Sequence, residues 1–420
     1  MNYQLKKGVN LHVVPTKKYK TIRVMIRFGT DLSVEKINQR TLLSSLLETN
    51  SKKYPSQQEM NEFLADLYGT SFGAAVGRKG DRHYLSVVLN TVNEKYLASK
   101  EPVLKIAFDF INEVIFHPNV KNGKFDDETF NREKENLVEY ISSVNDDKQS
   151  QAALKVQKLY FEDSLEQGMA SFGSSSGVAA LTADALYSYY QEMLELDEID
   201  IFVLGDVDPL EVRELSKVFG FTDREEISGS GLYKTRNIRE VIEKTDELPV
   251  SQAKLNLAYQ TGVFYHEKDY FPLIVFNGLF GGFPHSKLFM NVREKESMAY
   301  YASSSLDTFR GFLTVQTGIE SKNKNKVVDL ITVQLDSLIA GEITAEELSQ
   351  TKEMLKNQYV SSLDNPASVL ESEFIKIKYP QSDITQSKWM EQVESVTTAD
   401  VADIARKIKL QIVYFMKGEE

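Results

Sequence analysis

The sequence predicts an α+β fold of two homologous domains in tandem, each a mainly antiparallel sheet with helices packed on one face. Two observations carry this. Three pairs of segments match one another in the same order along the chain. Within each half, strand-like runs of period two are interleaved with helix-like runs of period 3.6. The boundaries expected are 1–221 for the first domain, 222–248 for a linker and 249–420 for the second domain.

The elements follow from local pattern. Ile22 to Gly29, IRVMIRFG, alternates as a strand does. Pro55-Ser56-Gln57-Gln58-Glu59 is a helix start, with Ser56 and Glu59 at capping-box spacing. Met60, Phe63, Leu64, Leu67 and Tyr68 then fall on one helical face. Val103, Ile106, Ala107, Phe110, Ile111, Val114 and Ile115 do the same, and Pro118 ends that helix. In the second half Thr344 and Glu347 form another capping box, and the runs YLSVVLNTV and GFLTVQTGI read as strands after turns. Between the halves, 222–248 is charged, holds Gly-Ser-Gly and has little core periodicity, so it reads as a linker.

The pairs are specific. Thr182 to Met193 (TADALYSYYQEM) matches Thr397 to Ile408 (TTADVADIARKI), and each leads into a strand-like run. Asp126 to Asp146 matches Ala345 to Asn365 at equal length, with Tyr140 opposite Tyr359. Leu64 to Leu89 matches Val292 to Thr317. The offsets are 228 (Leu64 to Val292), 219 (Asp126 to Ala345) and 215 (Thr182 to Thr397), a small and ordered drift. Three such pairs in one order mark a duplicated domain.

Composition narrows the chemistry. With 49 Lys+Arg against 61 Asp+Glu the formal net charge is −12, which argues against phosphate-neutralising nucleic-acid binding. No cysteine is present, so disulfides, thiolate zinc sites, iron–sulfur clusters and a cysteine nucleophile are excluded. The N-terminus has no signal-peptide pattern and no run has spanning length, so no membrane insertion and a cytoplasmic location are expected. Ser171 to Gly177, SFGSSSG, lacks the Gly-x-Ser-x-Gly elbow of a serine hydrolase and reads as a loop before the Thr182 helix. The five histidines, His12, His83, His117, His266 and His285, contain no pair spaced to share one helix face. His117, before Pro118, reads as a helix-end residue, and His266 and His285 as loop residues.

The tandem resembles the pitrilysin family of zinc metallopeptidases, to which insulin-degrading enzyme and the mitochondrial processing peptidase belong. The likeness runs over nearly the whole chain. FVLGDVD (Phe202 to Asp208) closes the first half as the family's first domain closes. Phe276 to Tyr300, FNGLFGGFPHSKLFMNVREKESMAY, resembles the family's second-domain stretch of glycines, a Ser-x-Leu-Phe helix, and Arg followed seven residues later by Tyr.

Active members carry an inverted motif, His-x-x-Glu-His. Positions i and i+4 of a helix put both imidazoles on one zinc, and the intervening Glu serves the metal-bound water as base. The resemblance puts this motif on Thr41 to Ser45, with Thr41 and Ser45 in the histidine places and Ser44 in that of the base. The distant Glu ligand falls at or beside Tyr140; Glu139 adjoins it and Glu133 matches an upstream carboxylate of the family. Hydroxyls are poor neutral zinc ligands, so no cofactor is expected in this chain. Arg293 and Tyr300 keep the family's Arg/Tyr arrangement, which in relatives holds the substrate carbonyl; Arg293 pairing with Glu294 or Glu296, and Tyr300 in the core, are the alternatives. The long glycine-rich loop of the mitochondrial degenerate subunit is reduced to Gly281-Gly282. An extended peptide could add to a sheet edge near Ser71 to Lys79, where Gly73, Ala74 and Ala75 are small, unless those residues serve internal packing.

The resemblance therefore implies the non-zinc subunit of a heterodimeric peptidase, inert alone, that binds and positions peptide for a homologous zinc-bearing partner. The alternative is a non-enzymatic scaffold or peptide-binding homodimer of the same fold.

Overall fold

The computed structural model describes residues 1–99, 101–144, 146–227, 229, 231–234 and 240–418. They form two compact units. One comprises Met1–Ser143 with Ala170–Gly229, the other Val144–Met169 with Ser230–Glu420.

The first unit is built on a six-stranded sheet. Its strands are β1 (Asn2–Lys6), β2 (Val9–Pro15), β3 (Thr21–Asp31), β4 (Ser71–Lys79), β5 (Arg82–Val92) and, after a small ribbon of β6 (Val120–Lys121) and β7 (Lys124–Phe125), β8 (Glu198–Gly205). They run in the order β1-β2-β8-β3-β5-β4, with only β2 and β8 parallel. The second unit has β9 (Ile242–Glu247), β10 (Ala253–Gln260), β11 (Ala299–Asp307), β12 (Phe312–Ile319) and β13 (Lys409–Lys417). Their order is β11-β12-β10-β13-β9, again with one parallel pair, β13 and β9. Strand for strand the sheets correspond, β4 to β11, β5 to β12, β3 to β10, β8 to β13 and β2 to β9; β1 is the first unit's addition.

Register explains the first core. Phe28 stands opposite Leu85 and Ile199, Ile26 opposite Val87 and Ile201, and Val24 opposite Leu89 and Val203. A period of two sends each row to the same face. There the rows meet Leu42, Leu43, Leu46 and Leu47 of α1 (Val34–Thr49) and Phe110, Ile111 and Val114 of α3 (Val103–Phe116). Between them α2 (Gln57–Asp66) starts at Ser56 with the full capping box to Glu59. It stops two residues earlier than the apolar spacing suggests, at Asp66: Leu67 is its cap and Tyr68 turns left-handed at φ 54° and is exposed. Helix α4 (Asp127–Val144) and the helix Ala345–Ser362 occupy the second matched pair, and Thr182 and Thr397 cap the helices of the third.

The division of the chain differs from the sequence-based one in two places. Helix α5 (Lys148–Tyr160) belongs to the second unit, where Ala152, Val156 and Tyr160 pack on Ala258, Ile412 and Tyr414. The segment 222–248 is not simply a linker. At its start Asp223 and Arg224 bond to the β1–β2 turn, through Lys7 N–H to Asp223 Oδ1 at 2.9 Å and Arg224 N–H to Lys7 O at 3.0 Å. At its end it forms β9, whose alternating charges suit an edge strand. Residues 228, 230 and 235–239 of that segment, including Ser230 of the Gly-Ser-Gly run, lie outside the described residues. The SFGSSSG run contains a short helix, Ser175–Ala179, capped by Ser174.

Candidate functional site

Helix α1 carries Thr41 to Ser45, the positions that the resemblance gives to the inverted zinc motif. Its four leucines bury one side, and Thr41 and Ser44 are themselves buried. Their hydroxyls are spent on the helix's own backbone: Thr41 donates to Ile37 O at 2.9 Å and Ser44 to Thr41 O at 2.8 Å, with Ser45 reaching the same carbonyl at 3.5 Å. Such back-bonding satisfies a buried hydroxyl without any external ligand. One residue earlier, Arg40 is fully buried and bonded to Asp197, to Tyr189 Oη at 3.1 Å and to Phe28 O at 2.5 Å. This end of α1 is tied into the core by charge.

The distant-ligand position lies on α4, which buries Phe130, Leu137 and Ile141 and turns Tyr140 outward, 61% exposed. Glu139 is also exposed, and Glu133 pairs with Arg132 Nε at 3.0 Å. Three hydroxyls bonded to carbonyls and one phenol do not make a zinc site, which needs imidazole, thiolate or carboxylate donors. The residues at these positions do not fit the metal.

Each histidine has other work. His12 sits between Asp200 Oδ1 at 3.0 Å and Asn2 Oδ1 at 3.1 Å. His83 is buried on β5, donates from Nε2 to Ser171 O at 2.8 Å, and is pushed down to about 3 by burial, with Arg40 and Arg78 adding to the shift. His117 caps α3. His266 stacks on Tyr270, and burial lowers it to about 4. His285 stacks on Phe283 with Nε2 2.8 Å from Thr351 Oγ1. Among the described residues no three His, Asp or Glu side chains gather where they could hold a metal ion.

The second unit treats its own candidate stretch differently. Gly278–Gly282 and Leu288–Lys295 are π-helical turns, rare geometry that recurs at functional positions. The second turn is anchored by buried Leu288 and Val292, and by Asn291 Nδ2 donating to Gln334 Oε1 at 2.5 Å. It closes with Glu296 N–H on Asn291 O and Met298 N–H on Val292 O, both at 3.1 Å. Gly281 permits this packing, since a Cβ there would stand 2.7 Å from Ser304 N and Oγ. Thus Gly281 serves close approach of a helical turn to β11, while a Cβ on Gly282 would meet Asn277 of the preceding helix.

From there the backbone is irregular up to Tyr300. Ser297 is left-handed at φ 51°, and β11 shifts register against β12 between Ala299 and Tyr301. Tyr300 is the bulged residue and is 60% exposed, so it is not core. A bulge re-aims a side chain in this way. The Arg293 guanidinium lies 4.4 Å over the Phe289 ring, with Nε 3.5 Å from Glu294 Oε1. That ion pair was one alternative from sequence; it is long and leaves the side chain 39% exposed. Arg293 and Tyr300 line one cleft of about 340 Å³ with Ser297, Met298, Glu320 and Asn323. The Arg293 guanidinium, the Tyr300 phenol and the Asn323 amide are donors and the Glu294 and Glu320 carboxylates acceptors, a lining suited to a polar chain such as a peptide backbone. The sequence singled out Arg293 and Tyr300 but not Phe289, although their i, i+4 spacing to Arg293 was readable. Glu320 and Asn323 enter only through the fold.

Comparison with known proteins adds the following. A family model described as the peptidase M16 inactive domain matches residues 180–355. The chain is 34% identical over 418 residues to YmfF of Bacillus subtilis, named a probable inactive metalloprotease, covering 98% of this chain and 96% of that one. It is 26% identical over 361 residues to YmxG of the same species, named an uncharacterized zinc protease, covering 84% and 81%. A crystal structure of a conserved protein from Enterococcus faecalis superposes with a TM-score of 0.96 at 51% identity, over 100% of this chain and 98% of that one.

Proposed function

The chain belongs to the M16 peptidase family as a member without the zinc motif, and from that premise we propose that it is the non-catalytic subunit of a two-chain peptidase. It binds and positions peptide for a homologous zinc-bearing partner. One observation carries the reading: the motif positions on α1 are closed onto their own helix, while Arg293 and Tyr300 line an open cleft. A division of labour follows. The partner supplies metal chemistry; this chain supplies a guanidinium and a phenol, donors that hold a peptide carbonyl and stabilise oxygen charge as it develops. The similarity to a probable inactive metalloprotease and to a zinc protease from one species supports a pairing of unlike members. Among the described residues no helix is long and apolar enough to cross a membrane.

The purified chain is expected to hold no zinc and to cleave no peptide alone. Mixed with a His-x-x-Glu-His homologue from the same cell, it should raise peptide turnover. Arg293→Ala and Tyr300→Phe should each lower that turnover by roughly 10²-fold. Unchanged turnover in both variants removes the assigned roles. Tight association with no activity under any pairing establishes the scaffold instead.

A further inference from the structure

Among the described residues the first sheet ends at β4, which has β5 on one side and no strand on the other. Such an edge presents alternate backbone N–H and C=O groups outward. One is taken. The Ala74 N–H donates to Glu48 Oε1, from the last turn of α1. The contact is fitted at backbone level, because a Cβ on Gly73 would stand 3.1 Å from the same oxygen.

Among the described residues, the other surroundings of Glu48 disfavour a carboxylate. The C-terminal turn of a helix carries partial negative charge, which disfavours an acidic side chain. Glu133 is a second carboxylate close by. The residue is exposed overall, yet its carboxylate end is tucked against β4, and that desolvation raises its pKa, with the Ala74 N–H opposing and Glu133 adding to the rise. Among the described residues its favourable partner is the Ala74 N–H of the edge strand. A carboxylate oxygen there occupies the place that the carbonyl of an added strand takes in an antiparallel pair.

We propose that Glu48 is a latch on the β4 edge, which an extended polypeptide segment displaces from the Ala74 N–H when it adds to that strand. The proposal rests on the peptide-binding reading above. It makes chain entry a competition: the latch is intramolecular and always present, so only a segment that pairs over several residues displaces it. The small side chains of Gly73, Ala74 and Ala75 leave the backbone reachable once Glu48 has swung away.

The test uses the full chain and a permanently unfolded probe, fluorescein-labelled reduced and carboxymethylated α-lactalbumin. Glu48→Ala should bind the probe roughly tenfold more tightly than the natural chain, the worth of one freed donor. Glu48→Gln, which keeps an acceptor oxygen, should stay close to the natural chain. Ala74→Pro, which removes the outward N–H at an edge where proline is tolerated, should cancel the gain from Glu48→Ala. Amide exchange at Ala74 in the free protein should accelerate roughly tenfold in Glu48→Ala. Equal probe affinity in the natural chain and Glu48→Ala overturns the latch while leaving peptide binding in place. A tighter Glu48→Ala that Ala74→Pro does not reverse also overturns it. Binding by neither chain overturns the peptide reading itself, and the latch with it.

Discussion

Helix α1 and the stretch from Gly278 to Tyr300 each carry positions that the family uses for chemistry, and the fold holds them in opposite ways. Around Thr41 the helix is regular, its hydroxyls are turned back onto carbonyls, and the neighbouring Arg40 is locked into the core. Around Arg293 the chain passes through two π-helical turns, a left-handed serine and a strand bulge before delivering an exposed tyrosine. Irregular backbone costs free energy and persists where its surroundings over-determine it. The contrast implies that substitutions in α1 are felt as stability, and substitutions at Arg293 and Tyr300 as activity.

The largest effect is expected at Arg40. Removing it leaves Asp197 buried without its charge partner, while Tyr189 Oη and Phe28 O lose a donor. Arg40→Met should lower the unfolding free energy by about 3–5 kcal/mol in a denaturant titration. Replacing both partners, Arg40→Met with Asp197→Leu, should recover much of that loss. A single-variant cost near zero would break the claim that α1 has become a structural pillar.

Next in size is a pH effect in the same region. His83 is fully buried, and its pKa in the fold, about 3, lies well below its ordinary value of 6.5. Below pH 6.5 the unfolded chain takes up a proton there that the folded chain refuses until about pH 3. Stability therefore falls as pH drops through that window, by about 1.4 kcal/mol per pH unit from this group. His83→Gln, which keeps a donor for Ser171 O, should flatten the slope between pH 6 and pH 4 relative to the natural chain. An unchanged slope would show that His83 is protonated in the fold.

How much of this was legible in sequence depends on whether a pattern names its partner. The three matched pairs found the repeated sheet because helix and strand runs recur at nearly constant offset, and the capping boxes read at Ser56 and Thr344 are both formed. Helix α5 was misplaced because Ala152, Val156 and Tyr160 announce one apolar face, and periodicity does not say against which sheet it packs. β9 escaped because an exposed edge strand of alternating charge looks like a solvated linker. Arg224, buried within that charged run, gave no signal at all. At the candidate site, Arg293 and Tyr300 were visible only through resemblance. Ser297 and the bulge were not visible, since they arise from packing that Gly281 permits. Glu48 shares a helix face with Thr41 and Ser45, so its position was readable, but its meeting with β4 was not.

A smaller effect separates the two regions directly. In Gly281→Ala the new Cβ meets the Ser304 backbone N and Oγ at 2.7 Å, and the turn or β11 must shift. The expected cost is about 1–3 kcal/mol. In α1, Ser45→Ala gives up a long bond to Thr41 O and gains helix propensity, so its cost should stay below about 0.5 kcal/mol. Equal costs would mean that the tight turn beneath Arg293 is no more constrained than an ordinary helix.

The smallest effect on stability is expected where the effect on turnover is largest. Tyr300 is unpaired at its bulge, and Arg293 rests on Phe289 with a long contact to Glu294, so neither supports the core. Tyr300→Phe and Arg293→Ala should each leave the unfolding free energy within about 0.5 kcal/mol of the natural chain. A loss above about 1 kcal/mol would make these residues part of the packing and return the alternative reading of an ion pair and a buried tyrosine. With stability unchanged, lost turnover in the mixed enzyme is a loss of donor groups and not of fold. That separation is available because Tyr300 stands exposed at the register shift between Ala299 and Tyr301 and not in the core.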